Sequence, residues 1–272
     1  MGSDMIGGQT RPFSEGKANL YALADGFFYV APTASDTRTC RQAGVLLLSL
    51  EGRDIEVKVA GGTHRAEGFL IAPGVHRQLD TRGQAVLSLH LDPIHPVYRA
   101  FAKNRIDCPI IPINYSAFRD LDSSLHAAYA GEICAEKAGN LFADLVSISA
   151  EFLPGAEARD DRIAQMLSEL NSMAPEDIMF RDLVRQIGLS ESRLSHLFSE
   201  DVGLPLRSFH LWKKIVYAIK MIARESNMTR VALDSGFSDS AHFSRTFRQT
   251  LGLSPSFLAD NRYVQVIDCS SY

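Results

Sequence analysis

No C-x-x-C pair and no H-x-H pair occurs anywhere in the sequence, and its four cysteines, Cys40, Cys108, Cys134 and Cys269, stand far apart. That spacing suggests neither a zinc site nor a disulfide framework, and it favours free thiols buried as small core residues. Long apolar runs are missing as well. The longest, VLLLSL at 45–50, falls far short of the roughly 20 residues that cross a bilayer, and the start MGSDMIGGQTRPF has no signal-peptide core. The expectation is a cytoplasmic protein without a membrane segment. Strong net charge is absent too: 28 Lys+Arg against 32 Asp+Glu leave −4 over 272 residues, so the total alone names no partner. With 46% hydrophobic and 22% charged residues, a disordered chain is excluded except at its ends, and the length suits two domains or one large one.

What is present is unevenly distributed. Residues 1–174 hold 16 Lys+Arg against 21 Asp+Glu, whereas 175–264 hold 12 against 10, so the balance changes from −5 to +2 along the chain. The first half alternates short segments, GFFYV at 26–30, VLLLSL at 45–50, IEVKV at 55–59, FLIAPGVH at 69–76 and AVLSLHL at 85–91, with the turn-rich EGRD, AGGT and TRGQ. Such lengths and residue types predict antiparallel strands in a small barrel or sandwich. From about Ser116 the texture becomes helical: Phe118, Leu121, Leu125 and Tyr129 recur at three or four, as do Leu141, Leu145, Ile148 and Phe152. PGAEARDD at 154–161 breaks the pattern with Pro, Gly and charge and predicts a linker. Beyond it lie apolar stripes through Ile163, Met166, Leu167 and Leu170, through Leu183, Val184 and Ile187, and through Phe209, Trp212, Ile215, Val216, Ile219 and Ile222. The fold class expected is α+β in two domains: 1–153 β-rich with a helical tail, 154–161 linking, and 162–264 all-α.

The second domain says one thing twice. GLSESRLSHLF at 188–198 and GFSDSAHFSRTF at 236–247 share a layout. In each, a glycine able to turn left-handed ends one helix, and Ser190 or Asp239 can cap the next. Leu194, Leu197 and Phe198, or Phe243 and Phe247, then face inward. Outward or at the flank remain Ser192, Arg193, Ser195 and His196 in the first copy, and Ser240, Ala241, His242, Ser244 and Arg245 in the second. Two helix-turn-helix motifs, at about 180–200 and 228–250, would offer small, donor-bearing faces to base edges. The turn glycines are 48 residues apart, while Phe198 to Phe247 and Gly203 to Gly252 are 49 apart, so His196 and Arg245 occupy equivalent positions.

Residues 163–262 resemble the DNA-binding domain of the AraC/XylS family of transcriptional regulators, through the two copies, the long helix between them, and a frame met by Gly236, Phe237, Phe247, Arg248, Gly252, Ser254 and Pro255. The resemblance implies a helical unit in which the helix near 206–224 holds two reading helices in successive major-groove segments of double-stranded DNA. Positions matching the family's base-reading sites are Ser192, Ser195 and His196, then Ser240, Ala241 and Arg245. Ala241 offers only a methyl contact and the serines are promiscuous, so specificity is expected to centre on Arg245, with His196 second. Arg245 is read as a base contact against a phosphate clamp or ion pair, and His242 either bonds phosphate or caps and packs. Arg193 and Arg248 steer by charge or touch the backbone, and the Trp212 stripe is core.

The segment from Leu46 through Leu79 resembles, less specifically, the cupin-like sensor domain found ahead of such DNA-binding domains. It implies a barrel that binds a small-molecule effector and helices that pair two chains into a homodimer. His64, His76, His90 and His95 raise a metal, but no acidic ligand follows at metallocupin spacing, and no metal, cofactor or catalytic residue is expected. The resemblance further implies regulation of transcription, with activation through RNA polymerase as the commoner mode. Two alternatives remain open at this point: a metal-dependent cupin enzyme with a helical appendage, and a helix-turn-helix module that contacts protein instead of DNA.

Overall fold

The computed structural model describes residues 16–34, 38–103, 108–155, 159–175, 178, 185 and 187–270. Nine strands come first: Ala18–Leu23 (β1), Gly26–Ala31 (β2), Thr39–Cys40 (β3), Gly44–Ser49 (β4), Ile55–Val59 (β5), Gly62–Ala66 (β6), Gly68–Ile71 (β7), His76–Asp80 (β8) and Val86–Leu91 (β9). A short helix Tyr98–Lys103 (α1) and strand Ile110–Ile113 (β10) lead to a 3-10 turn at Tyr115–Leu121 and helices Asp122–Ala130 (α2) and Ala135–Glu151 (α3). The helical half then runs Asp161–Ser172 (α4), Glu191–Val202 (α5), Leu206–Ile222 (α6), Met228–Asp234 (α7), Ser240–Leu251 (α8) and Pro255–Leu258 (α9), and ends on strand Val264–Asp268 (β11). The protein is therefore a β-rich domain followed by a helical one.

The strands form a larger sheet in the order β10-β7-β4-β9-β2-β1-β11 and a smaller one in the order β3-β8-β5-β6. Side chains alternate across a strand, so a strand covered on both faces must be apolar throughout. GVLLLS of β4 is such a strand, every residue of it buried. Its Leu46 and Leu48 join Phe118, Leu125, Leu141 and Leu145 on the helical side, while Val45 and Leu47 join Ile55, Val57 and Leu79 of the smaller sheet. β5 in that sheet keeps one wet face: Ile55 and Val57 are buried and Lys58 is exposed.

The structure departs from the sequence reading in three ways. FLIAPGVH is not one strand, because β7 stops at Ile71 and Gly74, at φ +74°, turns the chain into β8. Free thiols are not uniformly buried: Cys269 is, but Cys108 and Cys134 are exposed. The chain also returns after its last helix, and β11 pairs in parallel with β1 from Ala18↔Val264 to Ala22↔Asp268, covering what would be an open sheet edge. The histidines are dispersed. His64 and His76 are exposed, whereas His90 is buried, stacked on Phe27 at 4.4 Å with Nε2 2.9 Å from Ser88 Oγ. Burial holds the His90 pKa well below its ordinary value, so the ring is neutral. No group of three or more His, Cys, Asp or Glu that could hold a metal ion is found among the described residues.

Besides the β11 pairing, several contacts among the described residues join the two halves. Trp212 of α6 is buried, lies 6.0 Å from Phe27 with the rings nearly parallel, and donates from Nε1 to Asp92 Oδ2 at 3.2 Å. Arg41 donates from Nη2 to the carbonyl of Leu251, the last residue of α8, at 3.0 Å. Asp201, at the end of α5, lies 3.6 Å from Arg99 Nη1 and 3.4 Å from Arg159 Nε. Beside it Gly203 approaches Ala102 so closely that an added Cβ would sit 2.6 Å from the alanine methyl. No helix among the described residues is long and apolar enough to cross a membrane.

Candidate nucleic-acid interface

The two copies read in the sequence build two matching corners. Gly188 and Gly236 take φ +68° and +76°, a conformation that L side chains rarely adopt. Ser190 then caps α5 by accepting from the Arg193 amide at 3.2 Å, and Asp239 caps α8 by accepting from the His242 amide at 2.7 Å. That amide bond, with the Ser238 hydroxyl, holds the Asp239 carboxyl below its ordinary pKa. Both helices end at left-handed glycines, Gly203 at φ +83° and Gly252 at φ +81°. The stripe expected through Leu183 and Val184 lies outside the described residues. Ser190→Ala is expected to cost about 1 kcal/mol, the usual loss of an N-cap, seen as a lower urea midpoint with an unchanged slope.

Below each corner lies an aromatic floor. Leu194 and Phe198 are fully buried under α5, and Phe198 meets Phe209 of α6 edge-on at 5.4 Å. Under α8, Phe243 and Phe247 meet at 5.4 Å, and Phe237 from the turn lies 5.0 Å from Phe243. With these faces committed, the opposite ones are left to solvent. Ser192, Arg193, Ser195 and His196 are exposed on α5, as are Ser240, Ala241, His242 and Arg245 on α8. Ser244 is half-buried.

Local partners differ among these side chains. His196 Nδ1 lies 3.0 Å from Glu200 Oε2, one turn on. His242 packs edge-on against Phe237 at 5.5 Å, with Nδ1 3.3 Å from Ser238 Oγ. It stays exposed at the start of α8. Among the described residues, no ion pair or hydrogen bond to the Arg245 guanidinium is found.

Other residues that shape the interface were not singled out in the sequence. Lys214 donates to the Gly236 carbonyl and lies 5.7 Å over the Phe237 ring, tying the long helix to the second turn. A lysine pair, Lys213 and Lys214, interrupting the apolar stripe of α6 is the signal that could have marked it. Arg41 had no such signal, since its acceptor lies 210 residues away. Arg41 and Asp201 hold the C-terminal ends of α8 and α5 against the β-rich domain. The N-terminal halves, which carry most of the exposed donors, are left uncovered.

The family described as a helix-turn-helix domain matches residues 183–261. An uncharacterised HTH-type transcriptional regulator of Staphylococcus aureus (strain MSSA476) is 32% identical over 90 residues, which are 33% of this chain and 12% of that protein. The arabinose operon regulatory protein of Escherichia coli (strain K12) is 30% identical over 100 residues, 36% of this chain and 34% of that protein. The chain thus spans about an eighth and about a third of these relatives. Among solved structures, ToxT from Vibrio cholerae O395 superimposes with a TM-score of 0.56 at 13% identity, covering 90% of this chain and 97% of that one. The fold of the two halves together is shared with ToxT, and residues 183–261 match a helix-turn-helix domain.

Proposed function

We propose that the protein is a sequence-specific regulator of transcription that binds double-stranded DNA through α5 and α8. The observation that carries this reading is the repetition of one device: a left-handed glycine, a side-chain cap and a helix whose solvent face holds small residues and hydrogen-bond donors. Such helices enter the major groove by their N-terminal residues, where donors meet base edges. In this reading Ser192, Ser195, His196, Ser240, Ala241 and Arg245 face bases, and Arg193 and His242 lie by the phosphates. The acidity of the whole chain is no obstacle. Phosphate attraction acts within a Debye length of about 8–10 Å, so exposed Arg193, Arg245 and Arg248 suffice locally.

Residues 1–153 serve in this proposal as a cupin-like effector-binding and dimerisation domain, 154–161 as the linker and 162–264 as the DNA-binding domain. A homodimer formed through the helices after the barrel doubles the DNA contacts, and RNA polymerase is the further partner. The role is non-enzymatic and cytoplasmic, where such DNA lies.

Electrophoretic mobility shift with fragments from near the gene tests the reading, and retarded complexes that weaken as salt rises are expected. Absence of any complex at low salt would leave the protein-contact alternative standing. Arg245→Ala is expected to lose about 1–3 kcal/mol on the preferred site and to relax the preference at one base pair. An equal loss on every sequence would make Arg245 a phosphate contact instead.

A further inference from the structure

Two of the four thiols come together where the chain returns to its first strand. β11 lies parallel to β1 with Asp268 opposite Ala22, and the next amide, that of Cys269, donates to the Ala22 carbonyl at 2.7 Å. Alternation along the strand sets Ile267 and Cys269 on one face. That face is the helical side of the sheet: Cys269 is buried in one cluster with Tyr21, Leu23 and Ile133, whereas Ala22 and Val264 belong to the opposite side. Leu23 in turn reaches the first turns of α3, since a Cβ added to Gly139 would lie 3.9 Å from its Cδ2. Cys134 is the residue just before that helix. Its carbonyl accepts from the Ala138 amide at 2.9 Å, while its side chain makes no capping bond and is exposed. The two sulfurs are near enough to interact: burial pushes the Cys269 thiol up to about 11, and the charges of Asp268 and Cys134 add to that.

We propose that Cys134 and Cys269 are a peroxide-responsive pair, which closes to a disulfide that fastens β11 to the start of α3. This goes beyond the regulator reading and does not depend on it. The two thiols differ in the way that the reaction needs. Cys134 is open to a small oxidant, whereas Cys269 is buried and stays a protonated thiol at neutral pH. The Cys134 sulfur attacks hydrogen peroxide, the O–O bond breaks, and Cys134 sulfenic acid and one water result. The Cys269 sulfur then attacks the Cys134 sulfur. The S–S bond forms, the S–O bond breaks, and the departing hydroxide takes the Cys269 proton as a second water. The thiol pair has lost two electrons and the peroxide has gained them. In a reducing compartment a thiol reductant reopens the link, the usual behaviour of a sensing disulfide. Cys269 follows the helical half and Cys134 sits in the β-rich one, so the bond staples the two halves through β11.

The test exposes the full chain, below its melting range, to a small excess of hydrogen peroxide, blocks the remaining thiols, and maps unreduced peptides by mass spectrometry. The peptides carrying Cys134 and Cys269 are expected to be joined in most chains and to separate in dithiothreitol. Cys134→Ser, at an exposed position, should remove the link without harming the fold, and Cys108→Ser, also exposed, should leave the link intact. Oxidation should raise the melting temperature of the unmutated chain by about 5–10 °C, as a staple closing a long loop does, and leave that of Cys134→Ser where it was. Three results overturn the proposal: Cys134 oxidised without ever joining Cys269, a link formed through Cys108 or between two chains, or a linked chain that melts no higher.

Discussion

Phe247→Ala is expected to destabilise the helical domain by about 3–5 kcal/mol, the range for truncating a fully buried aromatic whose site cannot collapse. Phe247 has no exposed surface and is held edge-on by Phe243, which in turn packs on Phe237 from the second turn. Deleting the ring removes its own transfer free energy, leaves a cavity and takes away the edge-on partner of Phe243. The neighbours are poorly placed to fill the gap. Val231 and Ala232 of α7 and Leu251 of α8 are already buried, and their backbones are set by the left-handed glycines at both ends of the unit. Phe247→Leu, which keeps most of the volume, should cost much less. Urea unfolding followed by helical circular dichroism reads the difference. A domain stability of ordinary size, about 5–15 kcal/mol, puts the alanine variant near the edge of folding. An unmoved transition would show that α8 presents another face to the core.

The second unit was legible in the sequence because its information is local. Gly236, the Asp239 cap and the Phe243–Phe247 pair lie within twelve residues, each with one dominant physical reason for its place. The same holds for Gly188, Ser190, Leu194 and Phe198. The central strands were legible for a related reason: β2, β4 and β9 are buried on both faces and read as apolar runs.

What stayed hidden depends on distant partners. β6, GTHRA, is largely exposed and carries no apolar alternation, so only its pairing with β5 makes it a strand. VQVID of β11 does alternate, but it lies beyond the last helix, and its partner β1 is some 245 residues earlier. Trp212 was read as core and is core, yet the atom that orients it is a carboxylate of the other domain, Asp92. Burial pushes the Asp92 pKa upward, while the bonds from Ile94 and Trp212 and the charge of Lys213 oppose that shift. No spacing rule announces a pairing across 120 residues. The solvent faces of α5 and α8 were therefore readable, whereas the means by which the β-rich domain grips the far ends of those helices were not.

Asp201→Ala is expected to cost about 3–5 kcal/mol, as large as the loss of the Phe247 ring, although it removes only a carboxylate. Asp201 is 6% exposed in its side chain: Oδ1 accepts from the Asp160 amide of the linker at 3.0 Å and lies 3.6 Å from Arg99 of the β-rich domain, while Oδ2 makes no hydrogen bond and lies 3.4 Å from the Arg159 guanidinium. Burial depresses the Arg159 pKa and the like charge of Arg99 adds to that, with Asp201 the first of the influences that raise it. Deleting the carboxylate leaves desolvation and repulsion in place and removes their main counterweight. The Asp160 amide, at the start of α4, also loses its acceptor, which is costly for a backbone donor away from water. Asp201→Asn keeps an acceptor for that amide and loses only the charge, so it should fall between wild type and alanine. Arg262, paired with Asp260 but 79% exposed, is the contrast: Arg262→Ala should leave the unfolding transition where it is, because water screens that pair. If α5 reads DNA as proposed, the alanine variant, altered at the end of that helix, should also weaken DNA binding at temperatures where it remains folded. A variant with unchanged stability would mean that the carboxylate is a bystander and that other contacts, Trp212, Arg41, Gly203 and β11 among them, hold the two domains together.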